Sequence, residues 1–409
     1  MSSVSLTAKA IRSSLLAVAA TSVASVSLFS TSAVAAEEQV QKVERIAVTG
    51  SRIKRTDMET ASPVSVIDAS SIIASGATSI DDVLQKMTSS GGAMTNAAVN
   101  NGSGGNATMN LRGLGSNRTL VLVNGRRMIA SGTGAASTVD LNTIPVSMIQ
   151  RVEVLKDGAP AVYGTDAIAG VVNVILKRDF DGLELNAQTG MSGQGDADET
   201  SVDLTLGNTF DKGNVVINAQ YTKRGEASQA DRGFSECPIA EKGPAGAKTT
   251  YCAGSSYSEG GHIWGDDGAN LSGLGGEYHE FTDADRFNYS KDSFLSTPME
   301  RLNLSFAGTY ELTDSTMFFS EAMYTKRWSD QQMAPQPIWN NDPWIYQPKA
   351  AGGWMTDALL PWVAAGEGVS YGRRMVESGT RQFSQTVDTI RVVLGLEGEF
   401  DNGWTWDAS

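Results

Sequence analysis

The second half of the chain is dominated by segments in which apolar and polar residues alternate. The clearest are Ser201–Phe210, Asn214–Thr222, Arg301–Tyr310 and Ile390–Phe400, and weaker copies are Leu183–Met191 and Met317–Thr325, where Glu321 interrupts one face. Side chains of a β-strand point alternately to opposite faces, so each segment predicts a strand with one apolar and one polar face. Such strands occur both in membrane β-barrels and in soluble β-sandwiches.

The connections between these segments favour the barrel. Short turns near residues 211–213, 313–315 and 401–403 alternate with two long polar loops, roughly 225–299 and 329–384. A compact sandwich rarely carries structureless loops of this length, whereas outer-membrane barrels have short periplasmic turns and long extracellular loops. We therefore expect the first six to seven strands of an antiparallel transmembrane β-barrel. Because an open sheet leaves edge groups unpaired in hydrocarbon, we also expect a C-terminal truncation at Ser409.

The N-terminus has the pattern of an export signal. Lys9 and Arg12 precede the apolar stretch Leu15–Phe29, and Ala33–Ala35 provides a small-residue cleavage site. This predicts a secretory signal peptide over residues 1–36, since a mitochondrial presequence would carry more arginine. The formal net charge of −14 argues against nucleic-acid binding, which needs a basic surface.

The cysteines and the absence of catalytic motifs narrow the chemistry. In an exported protein the pair Cys237 and Cys252 predicts a disulfide; a metal pair would need more ligands, and the chain has only two histidines. No EF-hand spacing is present, so we expect no metal and no cofactor. Neither a nucleophile-elbow, a zincin nor a phosphate-loop pattern occurs, so an enzyme is not expected.

Residues 37–180 read as an arm followed by a small α+β domain. Residues 37–60 are charged and lack a core pattern, but they contain the β-prone patch Ile46–Gly50, which suits strand addition to a partner or, equally, the first strand of the next domain. In residues 61–180 we predict strands and helices at Pro63–Ile67, Ala69–Ser75, Thr78–Met87, Thr119–Val123, Pro145–Gln150, Arg151–Leu155 and Val171–Leu176.

Three blocks of this region resemble TonB-dependent outer-membrane receptors. They are Val43–Arg52, like the TonB box; Leu111–Gly113 with Arg118–Arg127; and Ile149–Lys177, and they stand in the order of the family's plug domain. The resemblance implies a signal peptide (1–36), a flexible arm with the TonB box (37–60), a plug domain (61–180) and a partial β-barrel (181–409) of about 22 strands in the complete protein.

The resemblance also implies function and partners. It implies a monomeric receptor in the lipid of the Gram-negative outer membrane, where TonB, working with ExbB and ExbD, drives uptake of a scarce small-molecule or oligomeric solute into the periplasm. The TonB-contacting residues would be Glu44, Arg45, Ile46, Ala47, Val48, Thr49 and Gly50. Many siderophore receptors carry Gly-Pro where this chain has Asp157–Ala159, which favours a saccharide or other non-siderophore nutrient. A ferric-siderophore receptor and a truncated, non-transporting fragment or surface binding protein are the alternatives.

Two groups of residues are candidates for the functional sites. In the plug, charges and a turn glycine near strand ends are expected to hold it against carboxylates of the barrel lumen, or else to be ordinary surface groups: Arg112, Gly113, Arg126, Arg127, Arg151 and Glu153. In the second long loop, Trp339, Trp344 and Trp354 offer flat rings that can stack on a sugar; packing of the loop on itself is an equal alternative.

Overall fold

The computed structural model describes residues 64–91, 96, 98–100, 105–130, 138–158, 163–265, 268–273, 277–340, 357–362 and 369–409. All of them belong to one compact unit, Ala47–Ser409. The predicted signal peptide, the predicted TonB-contacting residues 44–50, and Trp344 and Trp354 lie outside the described residues. Within the described ranges, no helix is long and apolar enough to cross a membrane.

The smaller of two domains is an α+β unit, here named the plug domain after the family that the sequence resembles. It consists of β1 (Val64–Asp68), α1 (Ala69–Ala74), α2 (Ile80–Leu84), β2 (Thr119–Val123), β3 (Arg126–Arg127), β4 (Ile149–Leu155) and β5 (Gly170–Leu176). The strands form one sheet in the order β1-β4-β5-β2-β3, with β2 parallel to β5 and the other pairs antiparallel. The apolar strands β2 and β5 lie inside this sheet, which explains why their apolar residues do not alternate with polar ones.

Two predicted helices of the plug domain are shorter in the structure. The predicted helix Thr78–Met87 is reduced to Ile80–Leu84, because Ser79 occupies the N-cap position and the Ser- and Gly-rich sequence after Met87 does not extend it. The predicted helix Pro145–Gln150 is a 3₁₀ turn, Val146–Met148, since Ile149 and Gln150 already belong to β4.

The remaining strands build the larger domain and its loops. In chain order they are β6 (Gly182–Gly190), β7 (Glu199–Phe210), β8 (Gly213–Arg224), β9 (Ala227–Ser228), β10 (Ile239–Lys242), β11 (Thr249–Cys252), β12 (His262–Trp264), β13 (Asn270–Ser272), β14 (His279–Glu280), β15 (Phe294–Ser296), β16 (Met299–Thr313), β17 (Thr316–Met333), β18 (Pro337–Asn340), β19 (Ser370–Arg374), β20 (Arg381–Glu399) and β21 (Thr405–Ala408). The long strands form a seven-stranded antiparallel sheet, named the wall, in the order β21-β20-β17-β16-β8-β7-β6.

The wall turns its apolar face outward and its polar face toward the plug domain, the reverse of a soluble sheet. On β20, Ile390 is 67% exposed while its neighbour Arg391 is 7% exposed. Other exposed apolar residues follow the same alternation: Val202, Leu204, Leu206, Ile217, Leu304 and Phe306. A soluble sandwich would bury this apolar stripe, because leaving it in water costs about 25 cal/mol per Å². The wall thus confirms the predicted antiparallel strands with one apolar and one polar face.

The two long connections fold together, although the sequence predicted them as unstructured loops. Strands β12, β13 and β14 of the first and β18 and β19 of the second form one sheet, in the order β14-β13-β12-β19-β18, named the loop sheet. A small apolar core supports it, formed by Ile263, Leu271, Leu359 and Val369. Each connection supplies two of these four residues, so the core of the loop sheet is complete only when the two connections pair. A disulfide joins Cys237 to Cys252 beside the β10–β11 hairpin, with 5.6 Å between the Cα atoms.

Gly170, at the start of β5, is required by close contact as well as by backbone conformation. Its φ is +143°, and a Cβ atom there would overlap the carbonyl oxygen of Leu155 on β4. We expect Gly170→Ala to lower the free energy of unfolding by at least about 2 kcal/mol, through strain and displacement of β4. Thermal unfolding in detergent measures this. Gly193→Ala is the control, because nothing lies within 4 Å of a Cβ there and the two variants should differ clearly.

Candidate functional site

The plug domain meets the polar face of the wall, and Glu321 on β17 is one centre of this contact. Its carboxylate accepts hydrogen bonds from Arg391 Nη1 at 2.8 Å, Arg178 Nη2 at 2.6 Å and Asn124 Nδ2 at 2.7 Å. These donors lie on β20, on the connection after the plug domain, and in the β2–β3 turn. Three of the roughly four lone-pair sites of the carboxylate are therefore used, and Glu321 joins three separate parts of the chain.

Arg301 on β16 is a second centre, and it is fully buried, with 0% exposure. Its Nη1 donates to Asn142 Oδ1 at 3.0 Å, and its Nη2 donates to the carbonyl oxygen of Thr78 at 2.8 Å. Both acceptors belong to the plug domain. Because burying an unpaired guanidinium is very costly, these contacts keep this edge of the plug domain against the wall.

Arg327 on β17 and Asp140 of the plug domain form a third centre. Arg327 Nε lies 3.5 Å from Asp140 Oδ2, an ion-pair distance, and its Nη2 donates to Asn106 Oδ1 at 2.9 Å. Asp140 Oδ1 also accepts from the backbone N–H groups of Ala107 and Asn142, at 3.0 and 3.1 Å. The carboxylate thus orders two plug segments while facing a wall cation.

The residues predicted from the sequence hold the plug domain together more than they hold it to the wall. Arg112 donates to the carbonyl oxygens of Ile168 and Ala169, both at 3.1 Å. Arg127 pairs with Asp166 and donates to the carbonyl oxygen of Tyr163. Arg151 Nε lies 2.9 Å from Glu153 Oε1, and Gly113 has a φ of +71° in a turn. All these partners lie in the plug domain.

Arg126 is the predicted residue that reaches the wall. Its Nε donates to Ser409 Oγ at 3.0 Å, and its Nη2 lies 3.6 Å from Asp407 Oδ2 on β21. Its guanidinium also lies over the ring of Phe319 on β17, 4.4 Å from the centroid. The Asn124–Gly125 turn before it has two residues with positive φ, as an Asn-Gly hairpin turn requires.

Four wall residues that contact the plug domain were not predicted to do so from the sequence: Arg301, Glu321, Arg327 and Arg391. A signal was present, because each is a charged residue on the polar face of an alternating strand. Glu321 in particular interrupts what would otherwise be a continuous face, Phe319 and Met323 being buried beside it. In a water-filled barrel, charged residues on the inward face would be solvated. The alternation of polar and apolar residues therefore does not indicate that they contact the plug domain.

Asp82 of α2 stands in a crowded acidic environment at the loop end of the wall. Burial, followed by the charges of Asp81 and Glu199, raises its pKa from 3.8 to about 6, while Arg224 and Lys86 oppose the shift. Burial also raises the pKa of Asp81. The folded state therefore holds a proton on Asp82 more tightly than the unfolded state does, and stability falls as pH rises from about 4 to 6.

We expect Asp82→Asn to stabilise the protein above pH 6 and to have little effect at pH 4. Removing the charge avoids its burial and its repulsion by Asp81 and Glu199, which we expect to be worth about 2 kcal/mol after screening by solvent. Thermal unfolding at the two pH values measures the difference. Asp314→Asn, in an exposed turn, is the control and should show no such dependence. Equal stabilisation at both pH values would contradict the raised pKa.

Aromatic residues cluster on the loop sheet. Trp339 stacks on Tyr257 with ring centroids 5.7 Å apart and an interplanar angle of 14°, yet it remains 54% exposed. Trp264 is tilted against Tyr257 at 6.2 Å, and His262 stacks on Phe281 at 4.1 Å. Packing of the loops on themselves thus occupies part of the Trp339 ring and leaves the rest accessible.

Comparisons with known proteins agree with this architecture. The sequence model of the TonB-dependent receptor plug domain matches residues 56–171. Among solved structures, a variant of the ferric enterobactin receptor of Pseudomonas aeruginosa is 15% identical, with a TM-score of 0.46, and the match covers 83% of this chain and 39% of that receptor. The siderophore receptor PiuA of Acinetobacter baumannii is 16% identical, with a TM-score of 0.38, and the match covers 84% of this chain and 43% of that receptor. BauA, the ferric preacinetobactin receptor of the same organism, is 12% identical, with a TM-score of 0.41, and the match covers 84% of this chain and 45% of that receptor. The chain thus spans less than half the length of each.

The family match lies in the plug domain. TonB-dependent receptors are transporters rather than enzymes, lie in the Gram-negative outer membrane, interact with TonB and bind small-molecule ligands. The order of elements found here, a plug domain followed by antiparallel strands with an outward apolar face, is the order that the resemblance implied. Residues 56–171 of the chain thus carry the plug domain of TonB-dependent receptors.

Proposed function

We propose that this protein takes up a scarce solute across the outer membrane, with energy supplied through TonB. The observation that carries the proposal is the polar contact between plug domain and wall. Glu321, Arg301 and Arg327 hold the plug domain by hydrogen bonds and ion pairs, while the apolar wall residues in the shared core are few: Val216, Ala307 and Met323.

A polar contact of this kind suits a plug that must loosen and return. An apolar interface of the same size would resist separation through the hydrophobic effect, whereas water entering a polar interface replaces each broken hydrogen bond. Each lost hydrogen bond to a charged group then costs about 1.5–3 kcal/mol net, and each neutral one about 0.5–1.5 kcal/mol. A pull on the N-terminal arm could therefore open the contact stepwise.

TonB is proposed to bind Glu44–Gly50 by strand addition, with its work supported by ExbB and ExbD. We expect Ile46→Pro to weaken binding of the periplasmic domain of TonB at least tenfold, because proline removes a main-chain donor. Titration calorimetry on the purified receptor measures this. Gln41→Pro, in the same arm but outside the patch, should bind normally. Equal affinity of both variants would contradict strand addition at this segment.

The solute is proposed to be a saccharide or another non-siderophore nutrient, contacted first by the loop sheet. The exposed part of Trp339 provides a flat ring at the outer end of the wall, where a sugar ring could stack. Ferric siderophore is the second candidate, and the solved structures named above are siderophore receptors. Transcript levels separate the two: induction on oligosaccharides supports the first, and induction by iron starvation alone contradicts it.

A further inference from the structure

The plug domain is bonded unevenly to the wall. On β17 two inward side chains bond to the backbone of the plug domain: Thr325 Oγ1 donates to the carbonyl oxygen of Thr143 at 3.1 Å, and Gln331 Nε2 donates to that of Val99 at 3.0 Å. Among the described residues of β17, only Arg327 Nε is buried without a hydrogen bond, and it keeps its ion-pair contact with Asp140. On β8 and β16, by contrast, seven buried polar atoms have no hydrogen-bond partner in the described part of the chain: Asn214 Oδ1, Asn218 Oδ1, Gln220 Oε1, Arg224 Nη2, Arg301 Nε, Asn303 Oδ1 and Ser305 Oγ.

Four of these residues form one patch, here named the amide row: Asn218, Gln220, Asn303 and Ser305. In the antiparallel register Gln220 lies opposite Asn303, and Asn218 lies opposite Ser305. All four are at most 5% exposed. They face the plug segment 142–147, because Asn303 Nδ2 lies 3.5 Å from the carbonyl oxygen of Asn142 and Asn218 Nδ2 donates to Ser147 Oγ at 2.9 Å.

The unpartnered atoms of the two asparagines are acceptors, and the backbone fixes this assignment. Asn218 Nδ2 also lies 3.2 Å from the carbonyl oxygen of Leu204, and a carbonyl oxygen can only accept. The contact of Asn303 Nδ2 with the carbonyl oxygen of Asn142 gives the same result. Exchanging nitrogen and oxygen in either amide would place two acceptors together, so the free atom is the oxygen.

The surroundings of the amide row are graded along the wall. Toward the loop end lie Arg224 and Arg301, with Glu199 near them. Toward the turn end the next inward pair is Val216 opposite Ala307, both buried in the core shared with the plug domain. The amide row is therefore an uncharged polar stretch, with charged residues on its loop side and apolar residues on its turn side.

We propose that the seam between the plug domain and strands β8 and β16 binds a neutral, hydroxyl-rich solute during its passage. This inference rests on the proposed function and adds the route and the solute class. Leaving a buried acceptor without a partner costs about 1–3 kcal/mol, and an O–H donor removes that cost. A polyol or saccharide provides this donor during transport.

The chemistry of the row favours such a solute over an anionic metal chelate. Amide and hydroxyl oxygens accept hydrogen bonds from hydroxyl groups, whereas a chelate whose oxygens are deprotonated and metal-bound presents mainly acceptors to them. The four side chains carry no charge that could offset the desolvation of an anion. The ion pairs of Glu321, on the neighbouring strand β17, stay intact in this route.

Single cysteines on the inward face of strands β16 and β17 test the route in living cells. Ser305→Cys lies in the amide row, and Ser329→Cys is the matched control, equally buried on β17 but hydrogen bonded to Arg327 instead of to the row. Cells carrying TonB are treated with a maleimide bearing glucose or with one bearing a sulfonate of similar size. Resistance of the protein to trypsin verifies that each variant folds, and each reaction is repeated after a protonophore removes the energy supply.

In energised cells we expect glucose-maleimide to modify Ser305→Cys at least tenfold faster than it modifies Ser329→Cys. We also expect glucose-maleimide to modify Ser305→Cys faster than the sulfonate reagent does. Equal acceleration of both cysteines by energy would overturn the route while leaving TonB-driven loosening intact. Preference for Ser305→Cys that persists with the protonophore would support the route and contradict the proposed energy coupling. A faster reaction with the sulfonate would overturn the assignment of a neutral solute.

Discussion

Replacing Glu321 by glutamine is expected to lower the free energy of unfolding by about 3–5 kcal/mol, the range found when one partner of a buried ion pair is removed. The glutamine has nearly the same shape, so packing is kept. What is lost is the negative charge that faces Arg178 and Arg391 together. Two guanidinium groups would then share a buried site without a counter-charge, and the Asn124 turn would lose a charged acceptor.

The measurement is unfolding of the purified protein in detergent, together with hydrogen exchange of the β2–β3 turn. Glu311→Gln is the matched control, since Glu311 is exposed on β16, and it should shift the free energy of unfolding by less than about 0.5 kcal/mol. If both variants unfold alike, Glu321 does not hold the plug domain and the first centre described above is only a surface cluster.

Arg301→Met is expected to have the second largest effect, with a loss of about 3 kcal/mol or more. Methionine fills much of the volume but leaves the carbonyl oxygen of Thr78 and Asn142 Oδ1 without their charged donor. A hydrogen bond to a charged group contributes about 1.5–3 kcal/mol, and two are lost. Removal of the buried charge itself offsets part of this cost, because Arg301 Nε has no hydrogen-bond partner among the described residues.

Hydrogen exchange near Thr78 and Asn142 separates this local release from global unfolding. Arg373→Met is the control, because its ion pair with Glu377 lies on the surface of the loop sheet, where such a pair contributes only about 0.3–0.5 kcal/mol. Exchange near Thr78 that is unchanged in Arg301→Met would show that the plug domain is held at this edge by other contacts.

The strands of the wall could be predicted from sequence because the alternation of apolar and polar residues is visible within each strand. Alternation in segments such as Ser201–Phe210 assigns each residue to a face, and Arg301–Tyr310 does so without reference to any partner. The plug strands β2 and β5 were predicted for a different reason: they are short apolar runs between turn signals. The short helix α2 was predicted too long, since propensity gives helix ends poorly.

The contacts between domains could not be predicted, because they join residues far apart in sequence. Alternation placed Glu321 on a strand but did not indicate that Asn124, Arg178 and Arg391 converge on it. The loop sheet was missed for the same reason: β12 and β19 pair across more than a hundred residues, with Ile263 opposite Tyr371. The core beneath the loop sheet is likewise shared, with Ile263 and Leu271 from one loop and Leu359 and Val369 from the other.

The connection between the two domains sets a limit on how far the plug domain can travel. Strand β5 ends at Leu176 and β6 begins at Gly182, so five residues, 177–181, form the only covalent link between them within the described part of the chain. Fully extended, this tether reaches about 20 Å. The C-terminal end of the plug domain therefore stays within that distance of the start of β6, however far the rest of the domain moves. When the plug domain separates from the wall, it must either rotate about residues 177–181 or unfold from its N-terminal end. The short link then keeps the domain next to the surface that it rebinds.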